Sequence, residues 1–512
     1  MLQFPASISV LCRCTTIAIV SSLSMACSSM SLTASGSSQD DNEPAESKMH
    51  LGSFGEPDRL GNPTRGSSGL ESGAGLVGKT LLVDPVIRPF STLKSLYGVT
   101  LKSTAGFLER RFIESVRLPL IERHPVPGLA DATAMDLVAW ERHLDELTSR
   151  KSSSGRIRFL VDGEEYFSRL SASIDAAEKS IDIRTYIFDN DDVALHMANM
   201  LRARSGEVEV KILVDGLADL FATRLDSASM PENTDLPASM SRYLAHGSKV
   251  KFRKQSNPWF TGDHAKITVI DQSLAFVGGM NIGREYRYDW HDLMMEVEGP
   301  VVSQLQYEFD QAWAKSGWMG DFAWLATALK GREIDESPTG YPIRILSTTI
   351  HDSEIYRAQV AAIRHARKRI YIENAYFSDD KILFELARAR RRGVDVRVIL
   401  SSQGDSGMID LSNQKAINIM LRNGIRVYSY PGMTHVKAAV YDGWACLGSA
   451  NFDKLSLQVN QEINLGTSDP TAVASLLERI FYPDFAISSE LYEPLPITNR
   501  HHFAEFLADE FL

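Results

Sequence analysis

Two separate stretches of the chain carry the same order of apolar and polar positions. Residues 166–188 (YFSRLSASIDAAEKSIDIRTYIF) begin with apolar side chains three and four positions apart and end in a run rich in Ile and Thr. The first pattern predicts an amphipathic helix and the second predicts a strand. Residues 356–377 (YRAQVAAIRHARKRIYIENAYF) repeat this order, and in both copies a helix ending in glycine and a further β-rich run follow. Each half therefore predicts a β-α-β unit, with parallel strands joined by a crossover helix.

A third block is duplicated as well. HAKITVID at 264–271 and HVKAAVYD at 435–442 both fit the pattern H-x-K-x-x-x-x-D. Their apolar β-branched alternation predicts strands, on which His and Lys at i and i+2 lie on the same face. Each block is followed by a turn that ends in asparagine, GGMN at 278–281 and GSAN at 448–451, and an acidic residue lies 11 positions beyond each asparagine. Two complete sets in the same order indicate two half-sites related by a pseudo-twofold axis.

The duplicated residues predict a chemistry. Two imidazoles, two ammonium groups and two amides facing one another form a positive pocket that suits a phosphodiester. One neutral imidazole can attack phosphorus, while the other donates a proton to the departing alcohol and then activates the next alcohol or water. We expect no metal and no cofactor, because adjacent ammonium groups would repel a cation.

The candidate residues divide into three groups. Those assigned to catalysis are His264, Lys266, Asp271, His435, Lys437 and Asp442. Those assigned to substrate binding are Asn281, Asn451, Gly279 and Ser449. Asp292 and Glu462 are the acidic residues expected to orient the histidines through the far ring nitrogen. Within the first group, Asp271 and Asp442 are expected to brace each half rather than to react.

Composition narrows the classes of function. The 512 residues include 54 basic and 65 acidic side chains, a net charge of −11, so the chain lacks the basic field of a general nucleic-acid-binding protein. Three of its four cysteines, Cys12, Cys14 and Cys27, lie in the first 27 residues, and only Cys446 lies in the body. This distribution excludes a disulfide scaffold and a cysteine-based zinc site.

The N-terminal part predicts an anchor and a linker. Residues 1–27 contain an apolar run of 12 residues before Cys27, which resembles a signal peptide with a lipoprotein-type cysteine; an uncleaved anchor or a misassigned start are the alternatives. This run is too short to span a bilayer, which needs about 20 residues. Residues 28–118 predict a flexible linker and N-terminal extension, since they begin rich in Ser, Gly and acidic residues. The repeats place one domain at 119–335 and another at 336–512.

The paired HAKITVID–GGMN and HVKAAVYD–GSAN blocks resemble the phospholipase D superfamily. RTYIFDND, FVGGMNIGREY, WHDLMMEVEGP and GSANFDKLSLQVNQEINL are similar to bacterial cardiolipin synthases of that superfamily. The resemblance implies an α/β fold of two duplicated phospholipase D-type domains, each a mostly β-sheet core flanked by helices, with the active site between them. It also implies metal-independent phosphatidyl transfer through phosphohistidine, with His264 as nucleophile and His435 as acid and base.

The same resemblance implies phospholipid substrates, phosphatidylglycerol foremost, and a place at the membrane surface of the bacterial envelope, with Cys27 as a candidate lipid anchor. Many cardiolipin synthases carry two N-terminal transmembrane helices, and this chain departs from that pattern. A phospholipase that uses water, a phosphodiesterase of nucleic acids and an inactive lipid-binding protein remain as alternatives. The complete His, Lys and Asn sets disfavour the inactive protein, and the acidic balance disfavours the nuclease. The sequence indicates neither the acceptor alcohol nor an oligomeric state.

Overall fold

The computed structural model describes residues 78–218, 229–231, 234–256, 258–330, 341–402 and 407–496. The predicted anchor at 1–27 and the first part of the linker, 28–77, lie outside the described residues.

The described residues contain sixteen strands and fourteen α-helices. The strands are β1 Ser153–Ser154, β2 Arg156–Val161, β3 Ser180–Thr185, β4 Glu209–Asp215, β5 Lys251–Gln255, β6 Ile267–Ile270, β7 Leu274–Gly278, β8 Leu293–Glu298, β9 Pro342–Thr348, β10 Arg369–Asn374, β11 Asp395–Ser401, β12 Arg426–Tyr430, β13 Lys437–Tyr441, β14 Trp444–Gly448, β15 Glu462–Thr467 and β16 Ser489–Leu491. The helices are α1 Asp84–Ile87, α2 Pro89–Phe112, α3 Leu118–Glu122, α4 Leu137–Leu147, α5 Asp162–Ala176, α6 Asp192–Arg204, α7 Met240–Ala245, α8 Val301–Ser316, α9 Gly320–Lys330, α10 Glu354–His365, α11 Asp380–Arg391, α12 Gly407–Arg422, α13 Pro470–Leu476 and α14 Tyr482–Ile487. Short π-helical turns at Lys79–Val83, Ile113–Arg117, Glu285–Asp289, Leu455–Val459 and Leu477–Phe481, and a 3₁₀ turn at Pro258–Phe260, complete the helical segments.

The strands form two sheets with the same internal order. The first sheet runs β2-β8-β7-β6-β3-β4-β5, and the second runs β9-β15-β14-β13-β10-β11-β12, with β1 and β16 added at its two edges. Three neighbouring strands of each sheet are parallel, β3–β5 in the first and β10–β12 in the second. The strand of the His–Lys block pairs antiparallel with the strand that follows it, and that strand pairs antiparallel with the next, which gives β6–β8 in the first sheet and β13–β15 in the second. The predicted α/β duplication is confirmed.

The two sheets pack face to face between outer layers of helices. The inner core joins side chains of β6–β8 with those of β13–β15, among them Val269, Val277, Val440 and Leu465. On the outside, α5–α7 cover the first sheet and α10–α12 cover the second. Burial of Ile, Val and Leu on both faces of each sheet explains the near-continuous apolar runs of the strands.

The segments before the first sheet pack on the second. Strand β1 pairs with β9, and Trp140 of α4 packs edge-on against Trp444 of β14 with ring centroids 5.2 Å apart. The domain boundaries at 119, 335 and 336 stay predictions, but this packing ties the chain around residue 140 to the second half. Across the described residues, none of the helices combines the length and the apolar character that crossing a bilayer requires.

Candidate active site

The two motif histidines lie where the two halves of the protein meet. His264 precedes β6, and its backbone N–H donates to the carbonyl of Gln461 at 2.9 Å. His435 precedes β13, and its N–H donates to the carbonyl of His291 at 2.6 Å. Each histidine is therefore positioned by backbone of the opposite half, and both sit at corresponding ends of their sheets.

The carboxylates that orient these histidines are exchanged between the halves. Nδ1 of His264 lies 2.9 Å from Oε1 and 3.0 Å from Oε2 of Glu462, which belongs to the second half. Nδ1 of His435 lies 2.6 Å from Oδ2 of Asp292, which belongs to the first half. A carboxylate at Nδ1 holds the ring in one orientation and one tautomer, so that Nε2 is the nitrogen presented to a substrate.

The motif lysines are buried beside the histidines. Nζ of Lys266 donates to the carbonyl of His264 at 2.7 Å, and Nζ of Lys437 donates to the carbonyl of His435 at 2.6 Å. Burial lowers the pKa of Lys266 to about 7, with Lys437 acting in the same direction and Glu462 against it. Two ammonium groups held this close together form a site for an anion.

Burial also changes the pKa of both histidines. It lowers the pKa of His435 to about 4, with Lys437 adding to the effect and Asp292 opposing it. It lowers the pKa of His264 as well, although the charge on Glu462 acts in the opposite direction. In both histidines burial therefore favours the neutral imidazole, which is the form that a nitrogen nucleophile requires.

The asparagines and the turn residues complete the two half-sites. Oδ1 of Asn281 accepts hydrogen bonds from the N–H of Ile187 at 3.2 Å and the hydroxyl of Thr185 at 3.3 Å, which orients its amide group. Asn451 is buried, and its Oδ1 has no hydrogen-bond partner within the described residues. Both predicted asparagines are thus buried, Asn281 with its amide oxygen bonded within the protein and Asn451 with its amide oxygen unused among the described residues.

Gly279 and Ser449 occupy equivalent positions but support their carboxylates differently. A Cβ at Gly279 would lie 2.3 Å from Oδ1 of Asp292, so only glycine admits this carboxylate. Oγ of Ser449 instead donates to Oε2 of Glu462 at 2.5 Å and accepts from the N–H of Ile463 at 3.0 Å. We therefore assign both positions to holding the orienting carboxylates.

Asp271 and Asp442 are not brought to the histidines. Each takes a positive φ, 53° and 54°, in the turn after its strand. The carboxylate of Asp271 accepts three backbone N–H groups, from residues 178–180, at 2.6–3.0 Å. That of Asp442 accepts the N–H groups of residues 367–369 at 2.9–3.0 Å and that of Met135 at 2.7 Å. Asp271 thus joins the turn after β6 to the turn before β3, and Asp442 joins the turn after β13 to the turn before β10.

A third histidine forms a cluster that the sequence did not indicate. Among the described residues, the group whose donor atoms could hold a metal is His291, Glu373 and Asp484, with ligand atoms within 4.8 Å of one another. Both nitrogens of His291 are already engaged, Nδ1 by Asp162 at 2.6 Å and Nε2 by Asp484 at 3.2 Å. Burial acts to lower the pKa of His291, but these bonds and the charge of Glu373 raise it to about 11. We describe the cluster as an imidazolium held by carboxylates of both halves.

Aromatic rings contact the motif histidines and Lys266. Tyr186 meets the ring of His264 edge-on at 4.8 Å, and Nζ of Lys266 lies 5.2 Å from the Tyr186 centroid. Trp290 lies 5.1 Å from the ring of His435. The sequence patterns did not indicate that Tyr186 or Trp290 contacts a motif histidine.

Comparison with known proteins places this arrangement in a family. The family model described as "Cardiolipin synthase, PLD-like domain" matches residues 170–313 and 360–484. Cardiolipin synthase B of Salmonella typhi is 30% identical over 345 residues, covering 64% of this chain and 79% of the relative. The probable cardiolipin synthase YwiE of Bacillus subtilis (strain 168) is 29% identical over 365 residues, covering 66% of this chain and 68% of the relative.

A solved structure supports the fold. Phosphatidylserine synthase of Haemophilus influenzae Rd KW20 aligns with 73% of this chain and 100% of its own, with a TM-score of 0.57 at 13% identity. At this identity the likeness shows the fold alone. From the two matched regions of the family model and the duplicated sheets, the chain belongs to the cardiolipin synthase family of PLD-like domain proteins and is a phosphatidyltransferase of the phospholipase D superfamily.

Proposed function

We propose that the protein transfers a phosphatidyl group through a phosphohistidine intermediate and makes cardiolipin from two molecules of phosphatidylglycerol. The observation that carries this proposal is the exchange of carboxylates, by which each motif histidine is held by a carboxylate of the opposite half and lies beside a buried lysine. One site with two imidazoles can take a phosphodiester apart and rebuild it with a different alcohol.

In the first step, Nε2 of His264 attacks phosphorus, the bond from phosphorus to the headgroup oxygen breaks, and glycerol leaves with a proton from His435. In the second step, His435 takes the proton from a hydroxyl of the second phosphatidylglycerol, whose oxygen attacks phosphorus and releases His264. Lys266, Lys437 and the asparagines stabilise the charge on the non-bridging oxygens throughout. The chain of proton transfers begins and ends with the same protonation state.

Substrate binding favours the proton-donating form of His435, whose proton comes from solvent. In the free enzyme its pKa is about 4 because burial and Lys437 disfavour the imidazolium. A phosphodiester in the pocket places a negative charge beside both lysines and the ring, which favours the charged imidazole. We therefore propose that substrate binding loads His435 with the proton that the leaving alcohol needs.

The test is a trapping experiment with phosphatidylglycerol. Acid-quenched protein should carry a phosphatidyl adduct on the peptide that contains His264, and the adduct should accumulate in His435→Asn, which cannot activate the acceptor. An adduct on the His435 peptide would reverse the two roles, and failure to trap any adduct during active turnover would favour direct displacement. His246→Ala, at an exposed histidine, is the matched control.

Lipid mass spectrometry decides the acceptor. Cardiolipin plus glycerol is the expected product pair, whereas phosphatidic acid as the main product would identify a hydrolase. We place the enzyme at the membrane of the bacterial envelope, where its substrates lie. Attachment through Cys27 is a separate proposal, tested by whether Cys27→Ala releases the protein from membranes.

A further inference from the structure

The N-terminal helical segment exposes an apolar stripe. Along residues 82–120, large apolar side chains recur mostly every three or four positions, with one gap of seven between Leu101 and Leu108, and are 39–75% exposed. They are Leu82, Val83, Val86, Phe90, Leu93, Tyr97, Leu101, Leu108, Phe112, Val116 and Leu120. A stripe of this length is far larger than the scattered apolar residues that are normal on a protein surface.

The opposite side of the same helix is fixed to the body of the protein. A Cβ at Gly98 would lie 2.5 Å from the side chain of Ile350, so glycine allows α2 to pack closely there. Nζ of Lys102 donates to the hydroxyl of Ser353 at 2.9 Å, and Lys381 forms an ion pair with Glu109 at 2.7 Å. The side of the helix that carries Gly98, Lys102 and Glu109 packs against the body of the protein, so the apolar stripe faces outward.

Helix α9 extends the stripe. The segment 318–329 exposes Trp318 (82%), Phe322 (52%) and Leu329 (79%). Its single charged residue, Asp321, is buried and accepts the backbone N–H of Ser91 at 2.7 Å. The rings of Phe90 and Phe322 lie 6.4 Å apart in an edge-on contact, so the two helices present one continuous surface, which we call the α2/α9 face.

The exposed charges on this face are all positive. Between residues 82 and 120 the exposed ionisable side chains are Lys94, Arg111 and Arg117, while the acidic side chains of the same segment are buried or half-buried. The guanidinium groups of Arg111 and Arg117 lie 5.5 and 5.1 Å from the rings of Phe107 and Phe112. The chain as a whole carries a charge of −11, so this basic and apolar face differs from the rest of the molecule.

We propose that the α2/α9 face lies in the headgroup layer of an anionic phospholipid bilayer. Trp and Tyr rings favour that layer, apolar side chains between them reach the acyl boundary, and Lys and Arg pair with anionic headgroups. A protein partner would not require that every exposed charge be basic. The proposal rests on the proposed function in one respect, since it gives the enzyme access to its lipid substrate.

The α2/α9 face is also connected to the segment that precedes His264. Helix α2 contacts the turn Pro258–Phe260, which precedes His264 by a few residues. A protein seated on this face therefore holds the loop before the nucleophile next to the lipid surface.

The test is sedimentation of the full chain with sucrose-loaded vesicles, either of phosphatidylglycerol and phosphatidylcholine in equal parts or of phosphatidylcholine alone. The wild type should bind the anionic vesicles. Trp318→Ser with Leu329→Ser should weaken that binding by about a hundredfold, at about tenfold for each large apolar side chain removed. Lys94→Gln with Arg111→Gln should weaken binding to the anionic vesicles only. Tyr492→Ser, at a residue 80% exposed and outside the face, is the matched control.

Activity on short-chain phosphatidylglycerol below its micellar concentration separates this proposal from the proposed function. The face variants should keep wild-type activity there, which also shows that they fold. If the face variants lose vesicle binding and the wild type makes no lipid product, the membrane role of the α2/α9 face is supported and the proposed function is refuted. Unchanged binding by the face variants, or a wild type that does not bind vesicles but forms a dimer that these variants disrupt, would overturn the membrane assignment.

Discussion

Replacing Glu462 by Gln tests the exchanged carboxylates directly. The change keeps the shape of the side chain and its contact with Ser449, but it removes the charge 2.9 Å from Nδ1 of His264. At an effective dielectric constant of about 20, two unit charges at that distance interact by about 6 kcal/mol. If about half of a unit of positive charge has developed on the ring in the transition state, the loss is about 3 kcal/mol, or about 10²-fold in rate. Loss of the preferred tautomer adds to this, so we expect kcat to fall by about 10²–10⁴-fold.

The assay is rapid-quench kinetics of the phosphatidyl adduct. Glu462→Gln should slow formation of the adduct, because its carboxylate serves the nucleophile. Asp292→Asn should slow resolution of the adduct as well as its formation, because its carboxylate serves the histidine that acts as acid in the first step and as base in the second. Glu490→Gln removes a carboxylate on β16 that pairs with Arg426 on β12, and this control variant should leave both steps unchanged. Adduct formation by Glu462→Gln within fivefold of the wild type, in a protein of unchanged thermal stability, would refute the assignment.

Four further outcomes follow from the site. His264→Ala and His435→Ala should each abolish lipid product while His246→Ala does not, and near-normal product from either would contradict the two-imidazole mechanism. Turnover should survive dialysis and excess EDTA, measured by lipid mass spectrometry, since lysines and asparagines meet the phosphate charge; loss that a divalent ion restores would contradict this. Because the pKa of Lys266 is about 7, kcat/KM should fall as pH rises through 7, and Lys266→Arg should remove that limb or the assignment is wrong. The raised pKa of His291, about 11, stabilises the fold fully below pH 6.5 and loses that contribution as pH rises towards 11; the Tm difference between wild type and His291→Gln should shrink over that range, and a constant difference would show that the ring acts by packing alone.

The duplicated sheets could be predicted from sequence because the helix period and the strand period are both visible over short stretches of the chain. The helix and strand periods recur in each half, and the strand order of the first sheet repeats in the second. The helical extension is different. Pro89–Phe112 forms a 24-residue helix whose inner side depends on Gly98 meeting Ile350, a contact between residues 252 positions apart. A sequence pattern carries no record of such a contact, so 28–118 was predicted only as a linker and extension.

The site shows the same division. The motif histidines and the acidic residues 11 positions after each asparagine were identified from spacing, and the structure brings each histidine to one of these carboxylates. Which carboxylate serves which histidine could not be predicted, because His264 and Glu462 are 198 residues apart and His435 and Asp292 are 143 apart. His291 was missed because its partners come from three distant segments, although its position next to Asp292 offered one signal.

The exchange of carboxylates makes each half dependent on the other. An isolated half would keep its histidine and lysine but would lose the carboxylate that sets the ring, since His264 is held by Glu462 and His435 by Asp292. The imidazolium of His291 lies next to Asp292 in the chain and is held by Asp162 of one half and Asp484 of the other. Any change that separates the halves therefore releases both orienting carboxylates and breaks this cluster together. The orientation of both motif histidines and the contact between the halves therefore depend on the same carboxylates.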